Sequence, residues 1–377
     1  MTLSRRNLIR WSLASGLGAF GPSPLLANGS AGAVYARGPV IDGLGFPGSM
    51  ETDEHGPLNE AELAHVRESG LAATHITVGA VGTMAPLAAF EKIVRDVARW
   101  ERMIDEHPDT FTRVRTAADI EAARAADRTG LIYGLQDGVA FEDDPERLPA
   151  LHQIGIRIVQ PTYNRRNLLG DGCMEPADAG LSRTGNAVIE RLDELGFTLD
   201  LSHCGRRTAA DAFAASRRPV SFTHTGCYTL AEHPRHRTDD ELRAAADSGG
   251  VIGIYVMPYL ARGAQPTAAD VIAHLEHAIQ VAGEDHVAFG TDGNISPAVL
   301  TEEYREQFRE MTRKRKELGI AAPFETEEGY LFANDLNTPR RFETLAGLLL
   351  ERGHSEARVE KILGANLQRL FRDTWAD

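Results

Sequence analysis

The sequence predicts an α/β protein folded as a (β/α)8 TIM barrel with additional helices at its C-terminus. Three observations lead to this prediction. Eight short apolar runs are spaced along the chain, and buried parallel strands have this composition. Amphipathic helical segments separate most of the runs, which is the alternation expected of a parallel sheet. The length of 377 residues is ordinary for such a barrel with insertions.

The predicted strands are short runs that are rich in β-branched and aliphatic residues. Eight units of strand and helix are the number at which a parallel sheet closes into this barrel. In chain order the strands are 39–44, 72–78, 131–136, 156–162, 197–203, 219–224, 250–256 and 286–292.

Several helices are predicted between and after these strands. Apolar side chains at helical spacing predict one face of a helix over residues 90–104, formed by Phe90, Ile93, Val94, Val97 and Ile104. Residues 188–195 show the same spacing before Gly196. Thr238 with Glu241 matches a capping box, in which two orphan backbone N–H groups are satisfied reciprocally. Residues 342–371 are expected to form helices that pack on the barrel.

Two polar stretches fall outside the simple repeat of strand and helix. Residues 164–184 follow the fourth strand, and residues 296–338 form an insertion after the eighth strand. Both leave from the carboxyl ends of strands, where the active site of a barrel lies. Each is either an insertion without a function or a segment that covers the site or contacts the substrate. Long loops in compact domains usually have a function. Residues 34–377 are otherwise predicted to form one barrel domain.

Residues 1–33 are predicted to be a twin-arginine export signal. Arg5 and Arg6 precede a Gly-rich, mildly apolar stretch that is too short to span a bilayer. Ala31-Gly32-Ala33 provides small residues for cleavage. We therefore expect the twin-arginine export machinery to be a partner and the mature protein to be periplasmic or secreted.

The acidic balance of the chain excludes some partners. A net charge of −14 gives no electrostatic reason to bind nucleic acid or an anionic membrane. Three cysteines cannot all pair with one another. Cys204 and Cys227 follow histidines closely, but small buried cysteines are the simpler interpretation.

Polar side chains lie at the carboxyl ends of three of the predicted strands. His203 ends the fifth strand, His224 ends the sixth, and Asp292 ends the eighth. The carboxyl ends of barrel strands meet at one mouth, and imidazole and carboxylate suit zinc and similar ions. A lone histidine at a strand end is commonly structural, but this combination favours a metal-dependent hydrolase. Asp200 either faces the helices or supports a ligand.

From the first strand to the C-terminus the sequence resembles the membrane (renal) dipeptidase family of zinc peptidases. The resemblance rests on passages whose order and spacing agree along the chain. They are Leu199-Asp-Leu-Ser-His203, Pro219-Val-Ser-Phe-Thr-His224, His233-Pro-Arg235, Asp285-His-Val-Ala-Phe-Gly-Thr-Asp292 and Lys361-Ile-Leu-Gly-Ala-Asn366.

The resemblance implies a ligand set and a substrate. In the family two zinc ions share a bridging glutamate, and the bridging hydroxide attacks a dipeptide. Position by position, His203 and His224 become ligands of one ion, and Asp292 becomes a ligand or base. Arg235 becomes the clamp for the substrate carboxylate, a role that suits its bidentate fork. Dimers are common in the family, so a homodimer is one expected assembly.

Several family positions are changed in this sequence. The two first-strand ligands of the family appear as Leu44 and Phe46, and the bridging glutamate appears as Gln136. A histidine that helps to polarise the substrate appears as Tyr163. Leucine and phenylalanine cannot ligate a metal, and a neutral amide does not offset the repulsion between two cations. We therefore expect that the standard binuclear centre does not form.

Three outcomes remain open at this point. One zinc ion binds at His203 and His224, with Asp292 or Gln136 as a further ligand, and its water hydrolyses the substrate. In this outcome Tyr163 stabilises the oxyanion. Alternatively, Asp137 or Asp42 replaces a lost carboxylate, or no catalytic metal binds.

The favoured prediction is a metal-dependent hydrolase of dipeptides or similar small amides, with a mononuclear or otherwise altered metal site where the family has two ions. Asp292 and Tyr163 are its predicted catalytic residues. Arg235, Tyr163 and Asn164 are predicted to contact the substrate. The alternative is a non-hydrolytic barrel, or pseudoenzyme, that binds or matures a small molecule in the periplasm.

Overall fold

A computed structural model describes residues 30–49, 52, 57–82, 84–323 and 325–375. Residues 1–29 of the predicted export signal lie outside these ranges, and residues 30–33 begin the first helix. Within the described ranges, no helix combines the length and apolar character that a membrane span requires.

The strands are short and most of their residues are buried. All eight predicted barrel strands are confirmed, and four further short strands accompany them. In chain order the strands are β1 (Ile41–Asp42), β2 (Gly45–Phe46), β3 (Ala73–Thr77), β4 (Phe111–Arg113), β5 (Thr129–Leu135), β6 (Ile156–Val159), β7 (Thr198–Asp200), β8 (Val220–Cys227), β9 (His236–Arg237), β10 (Ile252–Ile254), β11 (Val287–Phe289) and β12 (Gly293–Asn294).

Eight of these strands form the barrel wall, in the order β1-β3-β5-β6-β7-β8-β10-β11, and all neighbours are parallel. The order follows the chain, so each crossover joins adjacent strands, as expected of a (β/α)8 barrel. Strand β4 adds to the edge of β5, and β9 adds to β8.

The first and last wall strands meet and close the barrel. The amide of Gly43 donates to the carbonyl oxygen of Phe289 at 3.0 Å. Just beyond this contact, β2 pairs in parallel with β12. Asp42 joins the same seam, because its carboxylate accepts from the amide and the hydroxyl of Thr291 at 2.8 and 2.6 Å. The fold class predicted from the sequence is therefore confirmed.

The helices surround the barrel and continue beyond it. In chain order they are α1 (Ser30–Arg37), α2 (Glu60–Ser69), α3 (Pro86–Glu106), α4 (Ala117–Ala125), α5 (Arg147–Gln153), α6 (Arg183–Leu195), α7 (Arg206–Ala215), α8 (Asp239–Asp247), α9 (Ala268–Ala282), α10 (Glu302–Glu317), α11 (Arg341–Glu351), α12 (Glu356–Glu360) and α13 (Asn366–Thr374), with a π-helical turn at Lys361–Ala365.

Local sequence explains where several helices begin and end. The predicted capping box of Thr238 and Glu241 is present at the start of α8. Helix α6 ends at Gly196, which has a φ of 79°, a conformation that glycine adopts without steric cost. In α3 the apolar face differs from the prediction: Val94 is exposed, and Trp100 and Met103 complete the buried side.

Glycines narrow the inside of the barrel between β8, β10 and β11. A Cβ atom on Gly253 or on Gly290 would lie 1.9 or 1.8 Å from the carbonyl oxygen of Thr223. Because no side chain can occupy that space, the strands approach closely here. The candidate site lies at the carboxyl ends of the strands, where His203 and Asp292 follow β7 and β11.

The insertion at 296–338 folds over that end of the barrel. It contains α10, and the loop after this helix reaches the site, where the carbonyl oxygen of Ile320 accepts from Asn164 Nδ2 at 2.8 Å. The carbonyl oxygen of Pro323 approaches His233 Nε2 at 3.0 Å. The insertion therefore contacts residues of the predicted site directly.

Candidate active site

His203 and His224 lie side by side at the carboxyl end of the barrel. His203 follows β7 and His224 lies within β8, and the centres of their rings are 5.1 Å apart. Both side chains are buried. The ring of Tyr163 stacks on His203 with a centre-to-centre distance of 4.0 Å. The structure thus brings together three residues that the sequence assigned to one site.

Hydrogen bonds fix the tautomer of His203. Asn164 uses its Nδ2 to donate to Ile320 O, so its Oδ1 is the acceptor that faces the histidine. His203 Nδ1 lies 2.6 Å from that Oδ1 and must donate to it. The lone pair therefore remains on Nε2, which is buried and has no hydrogen-bond partner.

A second chain of hydrogen bonds fixes the tautomer of His224. The hydroxyl of Thr223 donates to Asp200 Oδ2 at 2.6 Å, so its oxygen accepts from His224 Nδ1 at 2.8 Å. His224 Nε2 again keeps a lone pair and has no partner. The sequence left the role of Asp200 open, and the structure places it in support of His224, an arrangement common behind metal-ligating histidines.

Burial holds both imidazoles in the neutral form. Desolvation lowers the pKa of His203 and of His224 well below the ordinary value, and the nearby Arg235 guanidinium lowers each pKa further. A neutral imidazole has an unprotonated nitrogen, which is what metal ligation or proton acceptance requires.

His75 is a third buried histidine that the sequence analysis did not select. It lies within β3, and its Nδ1 contacts the carbonyl oxygen of Gly43 at 2.8 Å. A carbonyl oxygen only accepts, so the lone pair of His75 is also on Nε2, which has no partner. The available signal was a histidine in the middle of an otherwise apolar strand.

The positions that differ from the family are occupied by side chains with other contacts. Leu44 is buried, and Phe46 packs edge-on against Trp100 at a ring distance of 6.0 Å. Gln136 donates through Nε2 to Thr77 Oγ1 at 2.7 Å. None of these contacts supplies an anionic ligand in place of the family residues.

Asp292 lies at the mouth, between β11 and β12, in a left-handed conformation with a φ of 52°. Such a conformation is uncommon for a residue with a side chain and often marks functional positions. Burial raises the pKa of its carboxyl to about 6, and this rise is partly offset by Arg235 and Arg315. Asp292 is therefore close to both arginines and largely ionised at neutral pH.

Asp42 and Asp137 are held in other roles. Asp42 closes the barrel seam through Thr291. Asp137 is buried and accepts from the amide of Gly82 at 2.9 Å and from Asn167 Nδ2 at 3.0 Å. Both carboxylates are thus committed to structural hydrogen bonds. The alternative in which one of them replaces a lost metal ligand finds no support in this arrangement.

The ligand set does not fit the binuclear zinc centre of the resembled family. In the described part of the chain, no three side chains from His, Cys, Asp and Glu come together as a metal site. His203 and His224 offer two lone-pair nitrogens, whereas catalytic zinc usually has three protein ligands. The ligand roles predicted for Asp292 and Gln136 stay predictions.

Arg235 is buried beside the two histidines. Its Nη1 donates to Ser202 O, and its Nη2 donates to His224 O at 3.3 Å. Among the described residues it forms no ion pair with a carboxylate. The neighbouring Arg237 differs, because its Nη1 pairs with Glu241 at 3.1 Å. Arg235 is therefore a buried cation that is suited to an anion from outside the chain.

The insertion supplies two further charged residues that local sequence did not single out. Arg315 of α10 forms a bidentate pair with Glu325 at 2.8 and 2.9 Å. Its Nη1 also lies 3.5 Å from the hydroxyl of Tyr163. Glu325 accepts in addition from the hydroxyl of Tyr259 at 2.8 Å. This network, which we call the insertion latch (Tyr163, Arg315, Glu325 and Tyr259), connects the insertion to the site.

This fold, a parallel barrel with polar side chains at its carboxyl end, corresponds to the class of TIM-barrel hydrolases. Residues 30–316 match the family model described as membrane dipeptidase, peptidase family M19. This match covers most of the chain, so the protein belongs to the M19 family. The family resemblance noted from the sequence is therefore confirmed.

Curated relatives carry dipeptidase names. The chain is 25% identical over 271 residues to dipeptidase verJ of Clonostachys rogersoniana, covering 71% of this chain and 61% of that protein. It is 27% identical over 312 residues to dipeptidase ataJ of Aspergillus terreus, covering 76% of this chain and 68% of that protein. The match thus spans less than two thirds of the length of the first relative.

Solved structures agree on the fold. An amidohydrolase from Pseudomonas aeruginosa superposes with a TM-score of 0.79 at 30% identity, covering 92% of this chain and 100% of that chain. A metallopeptidase from Rhodobacter sphaeroides, liganded with a phosphinate mimic of L-Ala-D-Ala, superposes with a TM-score of 0.72 at 20% identity, covering 89% and 99%. At that identity the second likeness concerns the fold alone.

Proposed function

We propose that this protein hydrolyses a dipeptide or a similar small amide with a free carboxylate, at a site that holds one metal ion at most. The observation that carries the proposal is the buried guanidinium of Arg235. It has no carboxylate partner among the described residues, and it lies beside two imidazole nitrogens that also lack partners. Membership of the dipeptidase family supports the substrate class.

Each residue of the site has a role that its contacts support. Arg235 holds the substrate carboxylate as a charge-assisted, bidentate donor. Tyr163, stacked on His203, presents a hydroxyl that can donate to the developing oxyanion. Asp292, ionised at neutral pH, is the candidate proton acceptor. A divalent ion bound at His203 and His224 would supply an activated water.

A second function is favoured by a specific observation. Among the described residues, no three side chains from His, Cys, Asp and Glu come together as a metal site. This favours a barrel that binds an anionic small molecule without hydrolysing it. Both functions use Arg235 in the same way, so carboxylate recognition does not distinguish them, whereas catalytic turnover does.

Restoring the family ligands separates the two functions. The triple variant Leu44→His, Phe46→Asp and Gln136→Glu rebuilds the missing ligand types. Zinc-loaded wild type and triple variant are assayed on a panel of dipeptides, and the variant Leu44→Gln with Phe46→Asn serves as a polar control. Turnover by the wild type supports the one-ion hydrolase. Turnover by the triple variant alone, with carboxylate binding by both, identifies the binding function.

We further propose that the mature protein works in the periplasm or is secreted. The support is the Arg5-Arg6 pair followed by a Gly-rich apolar stretch. Fractionation of cells that express the full chain should place it outside the cytoplasm. The double variant Arg5→Lys and Arg6→Lys should accumulate in the cytoplasm, and an unchanged distribution would contradict twin-arginine export.

A further inference from the structure

A cavity of about 730 Å³ lies next to the site, beneath the insertion. Its wall combines aromatic and aliphatic side chains with a few polar groups, among them Tyr259, Phe308, Met311, Tyr330 and Leu331. Pockets of about 300–1,000 Å³ with such a lining typically hold ligands of drug size. The volume of the cavity is thus larger than a small side chain such as that of alanine requires.

The cavity and the site share a wall. His233 and Glu325 line the cavity. His233 also accepts from the backbone amide of Arg235 at 3.2 Å, through Nδ1. Glu325 belongs to the insertion latch, which reaches Tyr163. The cavity therefore borders the loop that carries the carboxylate clamp, and its lining residue His233 lies two positions before Arg235.

The shared wall is flat and aromatic. His233 stacks on Tyr259 with a ring distance of 4.2 Å and an interplanar angle of 9°. Burial lowers the pKa of His233 to about 4, so this ring is neutral at physiological pH. A neutral stacked pair presents an apolar surface against which another aromatic ring can pack.

We propose that this cavity receives a bulky, aromatic side chain of the substrate, on the residue that bears the carboxylate held by Arg235. The inference rests on the proposed function for the position of the carboxylate. It goes further in naming the substrate class: amides of aromatic amino acids with a free carboxyl group.

Gly329 offers a way to fill the cavity without disturbing the barrel. A Cβ atom added here would lie 3.7 Å from Gln265 Oε1 and from Thr326 Oγ1, which is ordinary van der Waals contact. All three residues line the cavity, so the side chain of Gly329→Phe begins at its wall. Gly38 has no atom within 4 Å of an added Cβ, and it precedes the first strand at the opposite end. Gly38→Phe is therefore the matched control.

The test measures binding by calorimetry, using dipeptide analogues in which CH2–NH replaces the scissile amide. Affinity is then independent of catalysis. We expect the analogue of Ala-Trp to bind at least about 10-fold more tightly than that of Ala-Ala, because burial of an aromatic side chain is worth that much. Gly329→Phe should abolish most of this preference, and Gly38→Phe should retain it.

Other results would overturn the inference. Equal affinity for the two analogues, or a preference for Trp-Ala over Ala-Trp, would contradict the assignment of the cavity to the carboxyl-terminal side chain. Neither result would bear on hydrolysis of small dipeptides. Conversely, tight binding of the Ala-Trp analogue without turnover of Ala-Trp itself would support the cavity and contradict the hydrolase.

Discussion

Replacing Arg235 by methionine should weaken ligand binding and leave the stability of the fold nearly unchanged. The guanidinium donates to Ser202 O and His224 O and pairs with no carboxylate among the described residues. A bidentate hydrogen bond from a charged donor contributes about 1.5–3 kcal/mol. Its loss should therefore reduce affinity for a carboxylate ligand by roughly 10- to 150-fold.

The effect on stability is the difference between two terms. Without the arginine, Ser202 O still accepts from Arg237 at 2.8 Å, while His224 O loses a donor, at a cost of about 1–3 kcal/mol. Against this cost, the variant no longer buries a cation that lacks an ion-pair partner among the described residues, and burial of such a cation carries a desolvation penalty. The two terms oppose each other, so the net change should stay within about 1 kcal/mol.

Arg237 provides the matched control, because it is equally buried and pairs with Glu241. Arg237→Met removes the nearer cation of Glu241 and leaves it only the longer pair with Arg206 at 3.9 Å. This should cost up to about 3 kcal/mol and lower the Tm by up to roughly 4 °C.

The assay combines thermal unfolding with affinity for a dipeptide acid and for its C-terminal amide. Only the Arg235 variant should lose the preference for the acid. If Arg235→Met lowers the Tm as much as Arg237→Met and keeps that preference, then Arg235 is structural and the clamp assignment fails.

Two further predictions concern single groups. Tyr163→Phe removes the hydroxyl near Arg315 while keeping the aromatic stack, so kcat on a hydrolysed dipeptide should fall at least about 10-fold with KM little changed; an unaltered kcat would remove the oxyanion role. Burial raises the pKa of Asp42 in the folded state to about 7, above its unfolded value, so the folded state binds more protons between about pH 4 and 7. The stability that the folded state gains from holding this proton is present in full below the unfolded pKa of Asp42, and it is lost as the pH rises through the folded pKa. Asp42→Asn, which can keep the contacts to Thr291, should therefore flatten the decline in Tm over that range, and an identical decline in the variant would contradict the shifted pKa.

Much of the fold could be predicted from the sequence because its signals are local. Each barrel strand is a short apolar run between helical patterns, and such runs are visible without knowledge of their neighbours. The capping box at Thr238 and the helix end at Gly196 were visible for the same reason. The apolar face of α3 was placed less accurately: Val94 fits the helical spacing but points to solvent, since tertiary packing selected Trp100 and Met103.

Position at strand ends predicted His203, His224 and Asp292, and the family resemblance added Arg235 and Tyr163. His203 and His224 could be paired because strand ends share one mouth of the barrel. Arg315 and Glu325 could not be assigned, because they reach the site from an insertion whose path depends on long-range contacts. Asp42 was considered as a substitute ligand, but its contact with Thr291 joins residues 249 positions apart. No local pattern reports such a contact.

The central claim is that the metal centre of this M19 family member is reduced to a pair of histidines. The most direct test is the metal content of purified wild type and His203→Ala after zinc loading, measured by elemental analysis. We expect no more than one equivalent in the wild type and its loss in the variant. Two equivalents in the wild type, or an unchanged content in His203→Ala, would contradict the claim.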